Sequence, residues 1–86
     1  MQTVTLYSTD YCGYCRAAKS LLSELGVAFD EVDLSADPDA RTALIERTGE
    51  RTVPQIFVGE THVGGFTELR ALHLDGGLLP LVNSEG

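Results

Sequence analysis

The apolar positions change their period several times along the chain, and each change marks an element. Val4 and Leu6 alternate with Thr3, Thr5 and Tyr7, the two-residue repeat of a strand with one buried face. After a loop, Ser8-Thr9-Asp10-Tyr11, the residues Ala18, Leu21, Leu22 and Leu25 follow the i, i+3, i+4, i+7 spacing of an amphipathic helix, and Gly26 is placed to end it. Val27 to Asp33 reads as a second strand. Asp37-Pro38 is a helix start, with the aspartate as N-cap and the proline at the first helical position. Leu44 and Ile45 form the buried face of that helix, and Gly49 marks its stop. Pro54 opens a strand over Gln55-Ile56-Phe57-Val58, a position where proline removes no ladder bond. Gly59-Glu60 turns the chain into Thr61-His62-Val63, giving a hairpin. Gly64-Gly65 breaks that strand, and Thr67 is the expected cap of a third helix carrying Leu69 and Leu72. Gly76-Gly77 ends it ahead of a short final helix, Leu78 to Val82. The order β-α-β-α-β-β-α, with the first two strands parallel through a crossover helix, defines an α/β domain.

Length and charge narrow the function. Eighty-six residues suit one domain, 1–86, with a core that is small but sufficient without staples. A formal charge of −7 disfavours nucleic acid or an anionic membrane as a partner. No apolar run approaches the roughly 20 residues of a membrane span. Met1 to Thr5 shows neither a basic nor an apolar leader region, so a cytoplasmic location is expected.

The chemistry concentrates in Cys12-Gly13-Tyr14-Cys15, which holds both cysteines of the chain. Thiols at this spacing on the first turn of a helix can approach closely enough for a disulfide. Cys12 would stand at the N-terminal mouth of the helix, where unpaired N–H groups and the positive end of the dipole favour thiolate over thiol. That makes Cys12 the candidate nucleophile and Cys15, one turn deeper, the resolving partner. Arg16 falls in the first turn, close enough to add positive field near Cys12; Lys19 reads as part of a solvated basic face. A zinc site would need a second cysteine pair or closely spaced histidines, and His62 and His73 stand eleven residues apart. Neither histidine maps near the expected site. Tyr7, Tyr11 and Phe29 read as packing or surface aromatics.

Three stretches in sequence give a resemblance: Cys12-Gly13-Tyr14-Cys15 after a strand, Thr52-Val53-Pro54 before one, and Gly64-Gly65 before a helix. With Gln55-Ile56-Phe57 and the element order, the chain resembles a dithiol glutaredoxin of the small bacterial type over roughly Thr3 to Val82. The resemblance implies a thioredoxin fold, a four-stranded mixed sheet flanked by helices. It implies glutathione as co-substrate, disulfide-bonded or glutathionylated proteins as partners, and a monomer. Tyr14 corresponds to the aromatic beside the bound tripeptide, and Val53-Pro54 to the family's cis peptide, with Thr52 leading into it. Arg41 falls where the family places a residue near the glycyl carboxylate; its other reading is an exposed helix arginine paired with Asp37 or Glu46. The N–H groups after Gly65 suit the γ-glutamyl carboxylate, Thr67 adds a hydroxyl and Glu68 meets the ammonium.

Three departures qualify the match. Thr9 stands where the family commonly has a lysine, Phe66 where it has a small residue, and Gly13 where it has proline. Phe66 narrows the pocket or stacks beside the ligand. Some relatives with such a relaxed motif hold a bridging [2Fe-2S] cluster between two subunits and two glutathiones, an alternative in which Cys12 would be the ligand here. Two further readings share the fold: a redoxin fed by thioredoxin reductase, and one using another low-molecular-weight thiol.

Overall fold

The computed structural model describes residues 2–10 and 12–84, so Tyr11 lies outside the described residues. The elements run β1 (Val4–Ser8), α1 (Gly13–Glu24), β2 (Phe29–Asp33), α2 (Pro38–Thr48), β3 (Gln55–Val58), β4 (Thr61–Gly64), α3 (Phe66–Leu74) and α4 (Leu78–Asn83). The strands form one four-stranded sheet in the order β2-β1-β3-β4. β1 pairs parallel with β2 and antiparallel with β3, with Leu6 opposite Ile56, and β3 closes an antiparallel hairpin with β4. This is the expected four-stranded mixed sheet with helices on both faces.

β3 is central, and all four of its residues are buried. Alternation along the strands divides them between two layers. Val4, Leu6, Ile56 and Val58 face α1, α3 and α4, where they pack with Ala18, Leu22, Leu69, Leu78 and Val82. Phe57 faces the other way and packs with Leu34 and Leu44 under α2. Tyr7 meets Phe57 edge-on at 5.8 Å between ring centroids. Leu44 therefore anchors α2, while Ile45 is only half-buried. Phe29 packs against the larger layer. The outer strand β2 exposes Asp30, Glu31 and Asp33.

Several boundaries differ from expectation: Gly64 belongs to β4 rather than breaking it, α4 runs on to Asn83, and three more differ as follows. The second strand begins at Phe29, because Val27 completes the end of α1. The Val27 N–H donates to the Leu22 carbonyl at 2.9 Å and the Gly26 N–H to that of Ser23 at 3.1 Å, with Gly26 at φ 70°. That is the paired Schellman closure, and it leaves Val27 packed in the core rather than in the sheet. β1 begins at Val4 and extends through Ser8. The third helix is capped by Gly65, so Thr67 lies inside its first turn.

Asp37 caps α2 as expected, accepting from the Ala40 N–H at 3.0 Å. α4 is pinned from the other end of the chain: the Gln2 N–H donates to the Val82 carbonyl at 2.8 Å, and the Gln2 side chain to Ser84 Oγ at 2.7 Å.

Leu69 has no exposed surface, whereas Leu74, on the same helix, is 71% exposed. Leu69→Ala should lower the unfolding free energy by about 2–5 kcal/mol in urea titrations. Leu74→Ala should stay within about 0.5 kcal/mol of the parent chain.

Candidate active site

β1 delivers the chain to the mouth of α1, where Cys12 is the N-cap residue in extended conformation. Its sulfur occupies the place usually taken by a serine, threonine or aspartate oxygen. The Cys15 N–H donates to Cys12 Sγ at 3.2 Å. No acidic side chain lies in the first turn of α1 to oppose negative charge on that sulfur. The Cys12 thiol in turn donates to the Val53 carbonyl at 3.3 Å, joining the cysteine pair to the segment ahead of β3. The Val53–Pro54 peptide is cis, in agreement with the resemblance.

The two sulfurs have opposite surroundings. Cys12 is half-buried and reachable, whereas Cys15 is 1% exposed. Burial, together with the hydrogen bond to Cys12, pushes the Cys15 thiol up to about 11 from 9.0. Beneath the pair lies a polar chamber of about 200 Å³ that Cys12 and Cys15 line together with Arg16, Lys19, Glu31 and Asp33. Lys19 is not simply solvated: its ammonium pairs with Glu31 at 2.9 Å. Ser8 donates to the same carboxylate at 2.7 Å, and these two bonds, that to Lys19 first, hold the Glu31 carboxyl below its ordinary range.

A second depression, a groove of about 220 Å³, includes Val53, the residue whose carbonyl faces Cys12. Thr52, Val53 and Pro54 form one wall, and Gly65, Phe66, Thr67 and Glu68, with Tyr14 stacked beside Phe66, the other. Eight of the residues expected around a tripeptide are thus brought into one depression. Tyr14, 66% exposed, stacks on Phe66 with ring centroids 6.1 Å apart and planes 29° apart, so Phe66 extends an aromatic wall. Gly65 offers no side-chain acceptor to the first turn of α3, which leaves the helix N-terminus aimed at this groove without an internal cap. The Glu68 carboxylate reaches back toward the Gly65 N–H at 3.5 Å.

Arg41 is the exception. It lines a neighbouring depression with Thr9, Leu34, Ser35 and Pro38, and its Nη2 donates to the Arg51 carbonyl at 3.2 Å. Neither Asp37 nor Glu46 pairs with it; among the described residues the ion pair present is Lys19–Glu31. The Val53 carbonyl faces Cys12, as the resemblance implies for the backbone groups ahead of the cis bond. The feature that escaped the sequence reading is Gln55, a fully buried amide that bonds Thr52 and Glu50. A glutamine inside an otherwise apolar strand was the available sign of it.

With both thiols reduced, Cys12 should take up iodoacetamide at neutral pH while Cys15 reacts only after unfolding, as peptide mapping would show. The raised Cys15 value also has a sign. A thiol harder to ionise in the folded state stabilises fully below its unfolded value near 9, and that contribution is lost as pH climbs toward about 11. Unfolding free energy under reductant should therefore fall across that interval, and less steeply in Cys15→Ser.

Comparison with known proteins agrees with this geometry. The glutaredoxin family model matches residues 4–63. A glutaredoxin of Neisseria meningitidis serogroup B is 51% identical over 84 residues, covering 96% of this chain and 99% of the relative. The solution structure of a Brucella melitensis glutaredoxin superposes with a TM-score of 0.86 at 45% identity, covering 95% of this chain and 89% of that one. A buckwheat glutaredoxin–glutathione complex superposes with a TM-score of 0.87 at 38% identity, covering 94% and 76%. A reachable sulfur at a helix mouth, a buried second thiol and a thioredoxin-type sheet thus occur in a chain that belongs to the glutaredoxin family of thiol-disulfide oxidoreductases.

Proposed function

We propose that the chain is a glutathione-dependent oxidoreductase that reduces glutathione mixed disulfides and protein disulfides. The observation that carries this reading is one continuous groove. It extends from the Val53 backbone, whose carbonyl accepts from the reachable Cys12 thiol, to the N-terminus of α3, where Gly65 supplies no side-chain cap. A γ-glutamyl carboxylate suits the first-turn N–H groups of α3, with the Thr67 hydroxyl beside it and the Glu68 carboxylate for the ammonium. The cysteinyl residue pairs strand-wise with Val53, and Tyr14 and Phe66 close the side. Arg41, held on the Arg51 carbonyl, contributes positive field at the Thr52 end rather than a wall of the groove.

In the proposed cycle the Cys12 thiolate attacks the glutathionyl sulfur of a mixed disulfide. The Cys12–glutathione bond forms, the substrate disulfide breaks, and the departing thiolate takes a proton. A second glutathione thiolate attacks the glutathionyl sulfur, releasing oxidised glutathione and restoring Cys12. The Cys15 amide, aimed at Cys12 Sγ, stabilises the charge on that leaving sulfur. With an intramolecular disulfide as substrate, the Cys12 thiolate attacks one sulfur, forming a Cys12–substrate disulfide and freeing the other as a thiol. Cys15 then loses its proton and attacks Cys12 Sγ, the Cys12–substrate bond breaks and the reduced dithiol leaves. Two glutathiones reduce the resulting Cys12–Cys15 disulfide to the dithiol, with release of oxidised glutathione. Such chemistry suits the cytoplasm, where glutathione keeps thiols reduced. A chain fed by thioredoxin reductase would instead turn over with that enzyme in place of glutathione and its reductase.

The iron–sulfur reading fits only as a cluster shared between copies. Each chain offers one reachable thiol, and among the described residues no group of three or more potential metal-ligating side chains is gathered. What favours it is Gly13, where an added Cβ would meet nothing within 4 Å, leaving the rim over Cys12 open. Bound there by two Cys12 thiolates and two glutathiones, the cluster would supply electron transfer or cluster delivery. Reconstitution with iron, sulfide and glutathione would give a coloured dimer if this holds and a colourless monomer if it does not.

Cys12→Ser should abolish glutathione-dependent turnover of a mixed disulfide. Cys15→Ser should keep that activity and lose reduction of intramolecular disulfides. Equal losses in both variants, in a coupled glutathione reductase assay, would overturn the assigned roles.

A further inference from the structure

The groove's first wall includes a segment that has little backbone support. Among the described residues, 50–53 make no backbone-to-backbone hydrogen bond. Side chains hold them instead: Thr48 Oγ1 on Glu50, Arg41 on the Arg51 carbonyl, and Gln55 on Thr52.

The Gln55 amide has no exposed surface, so its orientation is set by its partners. Its Nε2 faces the Thr52 carbonyl at 2.9 Å, Glu50 Oε2 at 3.0 Å and Thr52 Oγ1 at 3.2 Å. Turning the amide over would set its oxygen against a carbonyl and a carboxylate, both acceptors. Gln55 Oε1 therefore points the other way, toward His62 Nε2 on β4 at 2.7 Å. An amide oxygen only accepts, so His62 must donate and carries its proton on Nε2. The imidazole is steadied by stacking on Phe57, with ring centroids 4.9 Å apart.

We infer that Gln55 and His62 are positioning residues: the Nε2–H of His62 fixes the buried Gln55 amide, which fixes Thr52 and so the Val53 edge of the groove. The relay begins on an edge strand, touches neither thiol directly, and reaches the site through the Val53 edge on which the substrate is placed. This deepens the glutathione reading and rests on it for the identity of the ligand.

The test compares two replacements of the exposed histidine, which avoids emptying the buried Gln55 site. His62→Phe keeps a ring to stack on Phe57 and removes the donor; His62→Gln places an N–H donor at similar reach. For a glutathionylated peptide, KM should rise about three- to tenfold in His62→Phe, the worth of one hydrogen bond, with a smaller change in kcat. His62→Gln should restore KM. Long-range proton–nitrogen NMR of the parent chain should show the hydrogen on Nε2. An unchanged KM in His62→Phe, an equal rise in His62→Gln, or an unprotonated Nε2 would overturn the relay. If the parent chain turned over no glutathione substrate, the glutathione reading would fall alone; the NMR result, and KM for a peptide with an intramolecular disulfide, would still judge the relay.

Discussion

The start of α1 depends on a sulfur standing where a helix normally receives an oxygen. A helix begins with N–H groups that have no partner within the turn, and something must meet them. Here the Cys12 side chain does so, accepting from the Cys15 amide. One contact thus secures the start of α1 and places a polarisable atom in the field of the helix end. The same residue type would be inert deeper in the fold, and Cys15, three positions on and buried, shows the difference. Position on the helix, rather than identity, sets how exposed each thiol is.

The sheet makes that position reproducible. β3 is covered on both faces, so its registration against β1 is strongly specified: a slip by one residue would exchange Ile56 and Val58 for Phe57 between unlike layers. Since β1 leads into Cys12 and β3 follows Val53, fixing one strand against the other fixes the sulfur against the carbonyl it faces. The hairpin that follows returns the chain at Gly64 and Gly65, which start α3 and the opposite wall of the groove. Three sequence-distant stretches meet because three adjacent elements pair.

Local sequence displayed the elements well, since turn chemistry and periodicity are themselves local. Asp37-Pro38, Gly26, Gly49 and the alternation of Val4 and Leu6 are short-range statements, and each appears in the structure. The groove-lining residues were legible only through resemblance, because nothing in Thr52 or Gly65 taken alone suggests that they face each other. What stayed hidden is non-local. Val27 reads as a strand residue until the bond to Leu22 is seen to claim it. Arg41 gives no sign in sequence that its guanidinium bonds the Arg51 carbonyl and lines a depression apart from the groove. Thr67 outranks Gly65 as a cap on propensity, yet the chain reverses at Gly64, with φ 117°, and enters the helix directly after it.

The outer strand β2 has a bearing on how copies of this protein meet in a crowded solution. Its free edge offers unpaired backbone groups, the usual template for strand addition between molecules and for fibril growth. Asp30, Glu31 and Asp33 crowd that edge with carboxylates, so a second copy docking there would set like charges nearly opposite one another. Lys19 neutralises Glu31 from within its own chain and leaves the other two unbalanced. Three of the chain's thirteen acidic residues thus stand on an open strand, where their repulsion opposes strand addition by a second copy.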